Sequence, residues 1–338
     1  MPNWKNLLLL AAVLLFVLLL LEGGARVISW TRGEQGGILP IAFVPAQGGP
    51  VNPVSTGPNS GDLHTIHAPD PWVWWRVKPN LSGYQVNLGW AGAKGFTLTT
   101  DAQGFRATGA LRPAAKRILV VGDSTAFGVG VDDADTWPAQ LATLLDAEVL
   151  NAGVPGHSTF QALRMAEKYD MDPKPDLVMV CAGFNDSSIT PSGELPDLAR
   201  ALKNEGEYGA GQPASYFVDL LNKAVTGAGA MTNAEQRPRL TPEEYKETLS
   251  TAEASFKARG IPLVWVRWPT QDEVERALPA SGGYPQVLLE HCGQPGVQCV
   301  DLMPTFKALQ PSPYYDFVHV TKAGNAAAAQ AIKNQKLP

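Results

Sequence analysis

Short apolar strands alternate with helical segments from residue 117 to the carboxyl end, and this alternation constrains the fold more than any other feature. The apolar runs predict strands at 118–121, 148–150, 177–181, 263–266 and 297–302. Helical periodicity predicts helices at 136–145, 160–169 and 241–260, with a last Ala-rich helix from Thr321. Strands and helices in this order build a parallel sheet covered by helices on both faces. The sequence therefore predicts an α/β domain.

The amino-terminal segment is strongly apolar. Residues 7–21 form an unbroken apolar run that follows Lys5, and a mostly apolar continuation reaches Trp30. About 20 apolar residues are needed to span a bilayer, so we predict an uncleaved signal anchor over 7–30. Lys5 favours an amino terminus inside the cell, which sends the rest of the chain across the membrane. A cleaved signal peptide is the alternative, and it also places the body of the protein in the periplasm or outside the cell.

The composition divides the remaining chain into further units. A stretch rich in Gly, Pro, Ser and Asn indicates a linker, and the aromatic and β-branched stretches after it indicate a small β-rich accessory region. Residues 187–240 break the alternation after the third predicted strand, and they either cap the ligand site or form a disordered surface loop. The predicted units are a cytoplasmic tail at 1–6, the anchor at 7–30, the linker at 31–68, the accessory region at 69–112, and the α/β domain at 113–338 with its insertion at 187–240.

Charge and cysteine content limit the partners and the compartment. The chain has 27 Lys and Arg against 32 Asp and Glu, a formal net charge of -5, and it has no dense basic cluster. Binding to nucleic-acid phosphates requires a basic surface, so nucleic acid is excluded as a partner. Cys292 and Cys299 could close a small loop as a disulfide or remain thiols, whereas Cys181 lies in an apolar strand and is expected to be structural.

A candidate nucleophile follows the first predicted strand of the α/β domain. Residues 122–125 read Gly-Asp-Ser-Thr, and a loop at the carboxyl end of a parallel strand faces the ligand crevice. Ser124 could instead be only a helix N-cap. A serine nucleophile needs a base, which His319 could supply in the Asp-Phe-Val-His sequence at 316–319. Asp316 could accept the Nδ1 proton of His319 and leave Nε2 free to take the serine proton.

Two further loops are expected at the same edge of the sheet. Residues 151–153 read Asn-Ala-Gly after the second strand, and residues 183–186 read Gly-Phe-Asn-Asp after the third. The N–H of Gly153, the amide of Asn185 and the N–H of Ser124 could stabilise a tetrahedral oxyanion. One such donor typically contributes about 3–4 kcal/mol to a transition state. These loops favour acyl transfer at Ser124.

The four blocks, in this order and spacing, resemble the SGNH (GDSL-like) hydrolase family, and the resemblance runs from residue 117 to the carboxyl end. It implies a three-layer α/β/α sandwich of flavodoxin-like type with a five-stranded parallel sheet. It implies no metal and no organic cofactor. Thr125 stands where the family pattern has leucine. The implied roles are nucleophile for Ser124, base for His319, orienting acid for Asp316, and oxyanion donors for Ser124, Gly153 and Asn185.

The apolar segment, the linker and residues 100–106 also resemble a membrane-anchored bacterial subgroup of that family. The expected function is hydrolysis of O-acetyl or short-chain acyl esters through an acyl-enzyme. The expected substrate is an acylated small molecule, lipid or glycan, and the expected membrane contact is the amino-terminal helix. One alternative is an O-acyltransferase of cell-envelope polysaccharide, and another is a non-catalytic glycan-binding protein on the same fold.

Several weaker signals favour structural roles. His64, His67 and Asp70 have a spacing that a metal could use, but an isolated group of this kind more often lies on a solvated surface. His157 is expected to be a hydrogen-bonded loop residue rather than part of the pocket. Asp123 and Asp186 are expected to hold the catalytic turns by accepting backbone N–H groups. Core packing is expected of the clustered tryptophans Trp72, Trp74, Trp75 and Trp90.

Overall fold

The structure, a computed structural model, describes Leu20 and residues 59–89, 95–109, 116–168, 174–189, 197–198 and 237–338. The predicted signal anchor therefore lies outside the described residues apart from Leu20, and so does most of the predicted insertion. Among the residues that the structure describes, no helix has the length and apolar character needed to cross a membrane.

The accessory region is β-rich, as expected, but it begins earlier than predicted. β1 (Ser60–Asp62) pairs in parallel with β4 (Tyr84–Asn87), which pairs antiparallel with β5 (Phe96–Leu98). β2 (His67–Asp70) and β3 (Trp74–Val77) form a separate antiparallel pair. Composition predicts that residues 60–68 belong to the linker, and that boundary is wrong. Leu63 and Ile66 are buried, and these apolar anchors hold the segment against the rest of the accessory region.

Five parallel strands form the central sheet, which confirms the predicted α/β architecture. The strands are β6 (Arg117–Gly122), β7 (Glu148–Gly153), β8 (Leu177–Cys181), β9 (Leu263–Arg267) and β10 (Gln298–Asp301). Their order across the sheet is β10-β9-β8-β6-β7. Along β6, Ile118 and Val120 join one buried core, and Leu119 and Val121 join the other. Since both faces of the sheet are covered, its three central strands β9, β8 and β6 carry continuous apolar runs.

Within the described residues, eight α-helices have both of their ends described. They are α1 (Ser124–Phe127), α2 (Trp137–Leu145), α3 (Thr159–Lys168), α4 (Pro242–Ala258), α5 (Gln271–Glu275), α6 (Tyr284–Cys292), α7 (Met303–Ala308) and α8 (Lys322–Lys333). Buried side chains of α3, α4 and α6 pack in the core on one face, and those of α2, α7 and α8 pack in the core on the other. Sequence periodicity did not predict α5, α6 or α7, and α5 and α7, of five and six residues, have too few turns to reveal a repeat.

The predicted start of α4 is confirmed in its hydrogen bonds. The Thr241 hydroxyl accepts the N–H of Glu244 at 3.2 Å, and a carboxylate oxygen of Glu244 accepts the N–H of Thr241 at 2.8 Å. This reciprocal pair satisfies two N–H groups that a helix terminus otherwise leaves without an acceptor.

Strand register brings three loops to one edge of the sheet. Gly122 at the end of β6 pairs with Gly153 on one side and with Cys181 on the other. The three strands therefore end at the same level, and the residues that follow them lie side by side. Beyond β8, Ile189 pairs with Pro238 in an antiparallel bridge. The two ends of the predicted insertion thus meet beside this edge.

Candidate active site

Ser124 is the first residue of α1, and Asp123 alone separates it from the end of β6. Asp123, rather than Ser124, is the N-cap, and its Oδ1 accepts the backbone N–H of Thr125 at 2.8 Å and the Thr125 hydroxyl at 2.7 Å. Burial raises the pKa of Asp123 above its usual range. The capping alternative for Ser124 is therefore wrong. Thr125, which differs from the family pattern, contributes a hydroxyl that fixes the turn.

His319 joins Ser124 to Asp316 by two short contacts. Nε2 of His319 lies 2.8 Å from Oγ of Ser124, and Nδ1 lies 2.7 Å from Oδ2 of Asp316. Burial raises the pKa of Asp316, but hydrogen bonds from the ring and backbone N–H groups of His319 and from the N–H of Val318 outweigh that effect, so the net pKa is lowered. An ionised carboxylate only accepts, which places the proton on Nδ1 and leaves Nε2 as the acceptor for the Ser124 hydroxyl.

The residues predicted as oxyanion donors lie at the same edge of the sheet. The side-chain amide of Asn185 donates one N–H to the carbonyl of His157 at 3.0 Å, and a side-chain amide carries two N–H groups. The N–H of Gly153 donates to Oδ1 of Asn151 at 3.1 Å. Ser124 is at the first position of α1, where a backbone N–H has no acceptor within the helix.

His157 anchors Asn185 and was only partly anticipated from the sequence. Its side chain is buried, and burial lowers its pKa to about 3, so the imidazole is neutral at pH 7. Nε2 lies 2.8 Å from the carbonyl oxygen of Trp75, to which it donates its proton. This confirms the expected hydrogen-bonded loop histidine. The sequence did not reveal that the His157 carbonyl holds Asn185.

A pocket of about 380 Å³ lies beside these residues. Phe184 and Phe317 form part of its wall, and their rings stack with centroids 5.3 Å apart. The Phe317 ring centroid is 6.3 Å from that of His319. Ser124 and His319 do not line the pocket, which is therefore adjacent to Ser124 rather than around it. Its other apolar walls include Tyr245, Trp268, Leu278, Tyr284 and Leu288.

The weaker sequence signals have structural explanations. His67 is partly buried rather than solvated, which corrects the expectation for this residue, and burial lowers its pKa to about 4. The described part of the chain has no group of three residues suited to hold a metal ion. Trp74 and Trp75 are buried as expected, whereas Trp72 is 39% exposed. Trp90 lies outside the described residues.

Asp186 has the role that the sequence suggested. Both of its carboxylate oxygens lie 3.1 Å from the N–H of Thr159, at the start of α3. The sequence analysis did not identify Phe184 and Phe317 as pocket residues, although both lie inside the motif blocks. Such motifs point to polar catalytic residues rather than to apolar residues that line a pocket.

Comparison with known proteins identifies the family. Residues 120–327 match the model of the GDSL-like lipase/acylhydrolase family, which is more than half of the chain. The esterase TesA of Pseudomonas aeruginosa is 28% identical over 165 residues, which cover 44% of this chain and 80% of that protein.

Similar solved structures include a lipolytic protein of the G-D-S-L family from Desulfitobacterium hafniense. It is 12% identical with a TM-score of 0.42, and the match covers 64% of this chain and 98% of that one. A catalytic mutant of an acetylxylan esterase from Geobacillus stearothermophilus is 17% identical with a TM-score of 0.41, over 64% of this chain and 92% of that one. By the match to the family model, the chain belongs to the GDSL-like lipase/acylhydrolase family and is an esterase of that family.

Proposed function

We propose that the chain hydrolyses O-acetyl or short-chain acyl esters, with Ser124 as nucleophile, His319 as general base and Asp316 as the orienting acid. The observation that carries this proposal is the continuous hydrogen-bond chain from Oγ of Ser124 through the imidazole to Asp316. A serine hydroxyl becomes a useful nucleophile at neutral pH when a positioned base removes its proton.

The first half-reaction forms an acyl-enzyme. Oγ of Ser124 attacks the ester carbonyl carbon while its proton moves to Nε2 of His319. Asp316 stabilises the imidazolium that results. When the tetrahedral intermediate collapses, the bond to the alcohol oxygen breaks, and His319 gives its proton to that oxygen. The alcohol leaves, and the acyl group remains on Ser124.

The second half-reaction releases the acid. A water molecule attacks the acyl carbon, and His319 takes one of its protons. The bond to Oγ then breaks, and the proton returns to Ser124 as the carboxylic acid leaves. A sugar hydroxyl in place of water would give acyl transfer, so both reactions share these residues.

Ser124 and Asn185 are the better-supported oxyanion donors. The backbone N–H of Ser124 has no acceptor within α1, and the Asn185 amide has one N–H beyond the bond to His157. The N–H of Gly153 donates to Asn151, so it would have to share its proton or leave that acceptor when an oxyanion forms. In this proposal Gly153 is the third donor.

The pocket beside the nucleophile supports a place for the acyl chain. Its wall begins at Phe317, next to the histidine base, and continues over tyrosine, leucine and proline side chains. Burial of a hydrocarbon chain contributes about 0.8 kcal/mol for each methylene group. We therefore assign this pocket to the acyl side of the ester and leave the alcohol side toward solvent.

Ester hydrolysis by purified full-length protein tests the proposal. p-Nitrophenyl acetate and butyrate serve as substrates for wild type, Ser124→Ala, His319→Ala and the control Ser250→Ala. Ser250 lies on α4, where its hydroxyl donates to the Lys246 carbonyl in an exposed position. The first two variants should lose at least about 10³-fold in kcat, and the control should keep wild-type activity.

Product analysis separates the outcomes. A wild-type chain that neither turns over esters nor reacts with a fluorophosphonate probe would overturn the proposal and favour a glycan-binding protein. A labelled acyl donor incubated with a glycan acceptor would distinguish hydrolysis, which releases free acid, from transfer, which yields acylated glycan.

We also propose that the catalytic domain lies outside the cytoplasm, held by the apolar segment at 7–30. A disulfide between Cys292 and Cys299 supports this location, because disulfides persist mainly in oxidising compartments. Mass spectrometry of protein from its native host should find an uncleaved amino terminus, and thiol titration in denaturant without reductant should find one thiol per chain. Three free thiols on a chain retained in the cytoplasm would overturn this proposal.

A further inference from the structure

Arg106 belongs to the accessory region and lies outside the residues that match the family model. Its side chain is completely buried, and each of its five N–H groups has an acceptor. Nε donates to Oδ1 of Asp133 at 2.8 Å, and one N–H of Nη2 donates to the carbonyl of Thr97 at 3.2 Å. The guanidinium lies over the rings of Phe96 and Phe127, 4.9 and 4.8 Å from their centroids. So complete a set of partners fixes this side chain in one position.

The remaining three donors of Arg106 hold the loop that follows the nucleophile helix. They reach the carbonyl oxygens of Phe127 at 3.1 Å, Gly128 at 2.7 Å and Val131 at 2.6 Å. We name residues 127–131 the nucleophile loop. Three of its carbonyls thus depend on one guanidinium. A lysine side chain has a single donor nitrogen and could not reproduce this fixed set of hydrogen bonds.

The nucleophile loop is also joined to Ser124 and to the histidine loop. The carbonyl of Ser124 accepts the N–H groups of Gly128 at 3.0 Å and Val129 at 3.1 Å. On the other side, the Tyr315 hydroxyl donates to the carbonyl of Val129 at 2.6 Å. The Tyr315 ring stacks on His319 with centroids 5.9 Å apart and an interplanar angle of 15°. A shift of this loop would therefore move the serine and the histidine relative to each other.

We propose that Arg106 is a positioning residue that sets the separation between Oγ of Ser124 and Nε2 of His319. The inference rests on the proposed function of these two residues. Loss of the guanidinium would leave buried carbonyls of the nucleophile loop without donors, and such groups move toward new partners. Small errors in the placement of reacting groups reduce turnover strongly without a matching effect on substrate binding.

The test compares Arg106→Lys with Arg117→Lys. Arg117 is the first residue of β6, the strand that leads to Ser124. It lies at the end of that strand away from the site, where it pairs with Glu148. We expect Arg106→Lys to lower kcat about 10- to 100-fold with KM changed less than about threefold, and we expect Arg117→Lys to leave both near wild type. Fluorophosphonate labelling of Ser124 should slow in proportion to kcat. Melting temperatures of both variants show whether each is folded at the assay temperature.

Tyr315→Phe provides a second test on the other side of the nucleophile loop. It removes the bond to Val129 and keeps the ring on His319, so it should also lower kcat and the labelling rate, by about 3- to 10-fold. Wild-type kcat and labelling in folded Arg106→Lys would overturn the inference. If that variant does not fold, wild-type kcat in Tyr315→Phe would overturn it. An unlabelled wild type would instead overturn the proposed function itself.

Discussion

Asp316 holds both the ring and the backbone of His319. Its Oδ2 lies 2.7 Å from Nδ1 of the imidazole, and its Oδ1 accepts the backbone N–H of His319 at 2.6 Å. The N–H of Val318 donates to the same Oδ1 at 2.9 Å. A short loop thus turns back on itself around one carboxylate, so the spacing of three residues is enough to orient the imidazole.

We expect Asp316→Asn to lower kcat by about 10³- to 10⁴-fold on p-nitrophenyl acetate, because an amide facing Nδ1 can favour the wrong tautomer. Steady-state kinetics measure the effect. Asp176→Asn is the control, since Asp176 is exposed and accepts the N–H of Arg117 at the start of β6, the end of the strand away from the site, and it should keep wild-type kcat. Activity within about tenfold of wild type in Asp316→Asn would show that His319 does not depend on this carboxylate.

Gly153 is required by packing as well as by its predicted chemistry. A Cβ at this position would lie 2.5 Å from the backbone nitrogen of Phe127 and 2.9 Å from the carbonyl carbon of Ala126. Backbone atoms of α1 cannot move aside as a flexible side chain could. We expect Gly153→Ala to reduce the free energy of unfolding by about 1–3 kcal/mol and to displace α1.

Urea unfolding and labelling of Ser124 by a fluorophosphonate probe test this prediction together. Gly89→Ala is the matched control, because a Cβ at that glycine would have no described heavy atom within 4 Å beyond its own chain neighbours. The control should retain both stability and labelling. Unchanged labelling in Gly153→Ala would mean that α1 tolerates the methyl group and that close packing does not explain the glycine.

The sequence predicted the α/β architecture and the candidate catalytic residues for related reasons. The predicted strands at 118–121, 177–181 and 263–266 are apolar throughout, which occurs when both faces of a parallel sheet are covered. Register then brings Gly122, Gly153 and Cys181 to one level, so the motif after each strand reaches the same edge. The alternation of strands and helices, with a motif after each of these strands, was enough to predict that the three loops lie at one edge.

Residues that act through long-range contacts could not be predicted in the same way. Arg106 contacts Phe127 and Val131, more than 20 positions away, and His157 reaches Trp75 in the accessory region. No local pattern encodes such contacts, because they depend on how the accessory strands pack on the sheet. The linker boundary was misplaced since composition does not show that Leu63 and Ile66 are buried.

Phe317 should influence acyl-chain preference. Its ring lines the pocket beside His319 and is 43% exposed, so its removal costs little stability. We expect Phe317→Ala to lower kcat/KM for p-nitrophenyl octanoate about 10-fold and to change kcat/KM for the acetate less than about threefold, since only the longer chain reaches this wall. Leu289→Ala is the control, because Leu289 is exposed on α6 and does not line the pocket. Equal losses on both esters would contradict the assignment of the pocket to the acyl chain.

Asp186 should make stability depend on pH. Its carboxylate is buried against the N–H and hydroxyl of Thr159, and burial raises its pKa from the usual 3.8 to about 7. Between these two pH values the folded chain holds a proton at Asp186 that the unfolded chain has lost. The contribution of Asp186 to the free energy of unfolding therefore falls as the pH rises from about 4 to about 7, and it changes little above that range.

Urea unfolding of wild type and Asp186→Asn at intervals from pH 4 to pH 8 measures this contribution. An asparagine does not titrate, and all other groups are shared, so their pH dependence cancels in the difference between the two proteins. The unfolding free energy of wild type minus that of Asp186→Asn should decrease steadily up to about pH 7 and then level off. A difference that grows with pH would mean that Asp186 is ionised in the folded protein, where hydrogen bonds from the N–H and hydroxyl of Thr159 would then outweigh its burial.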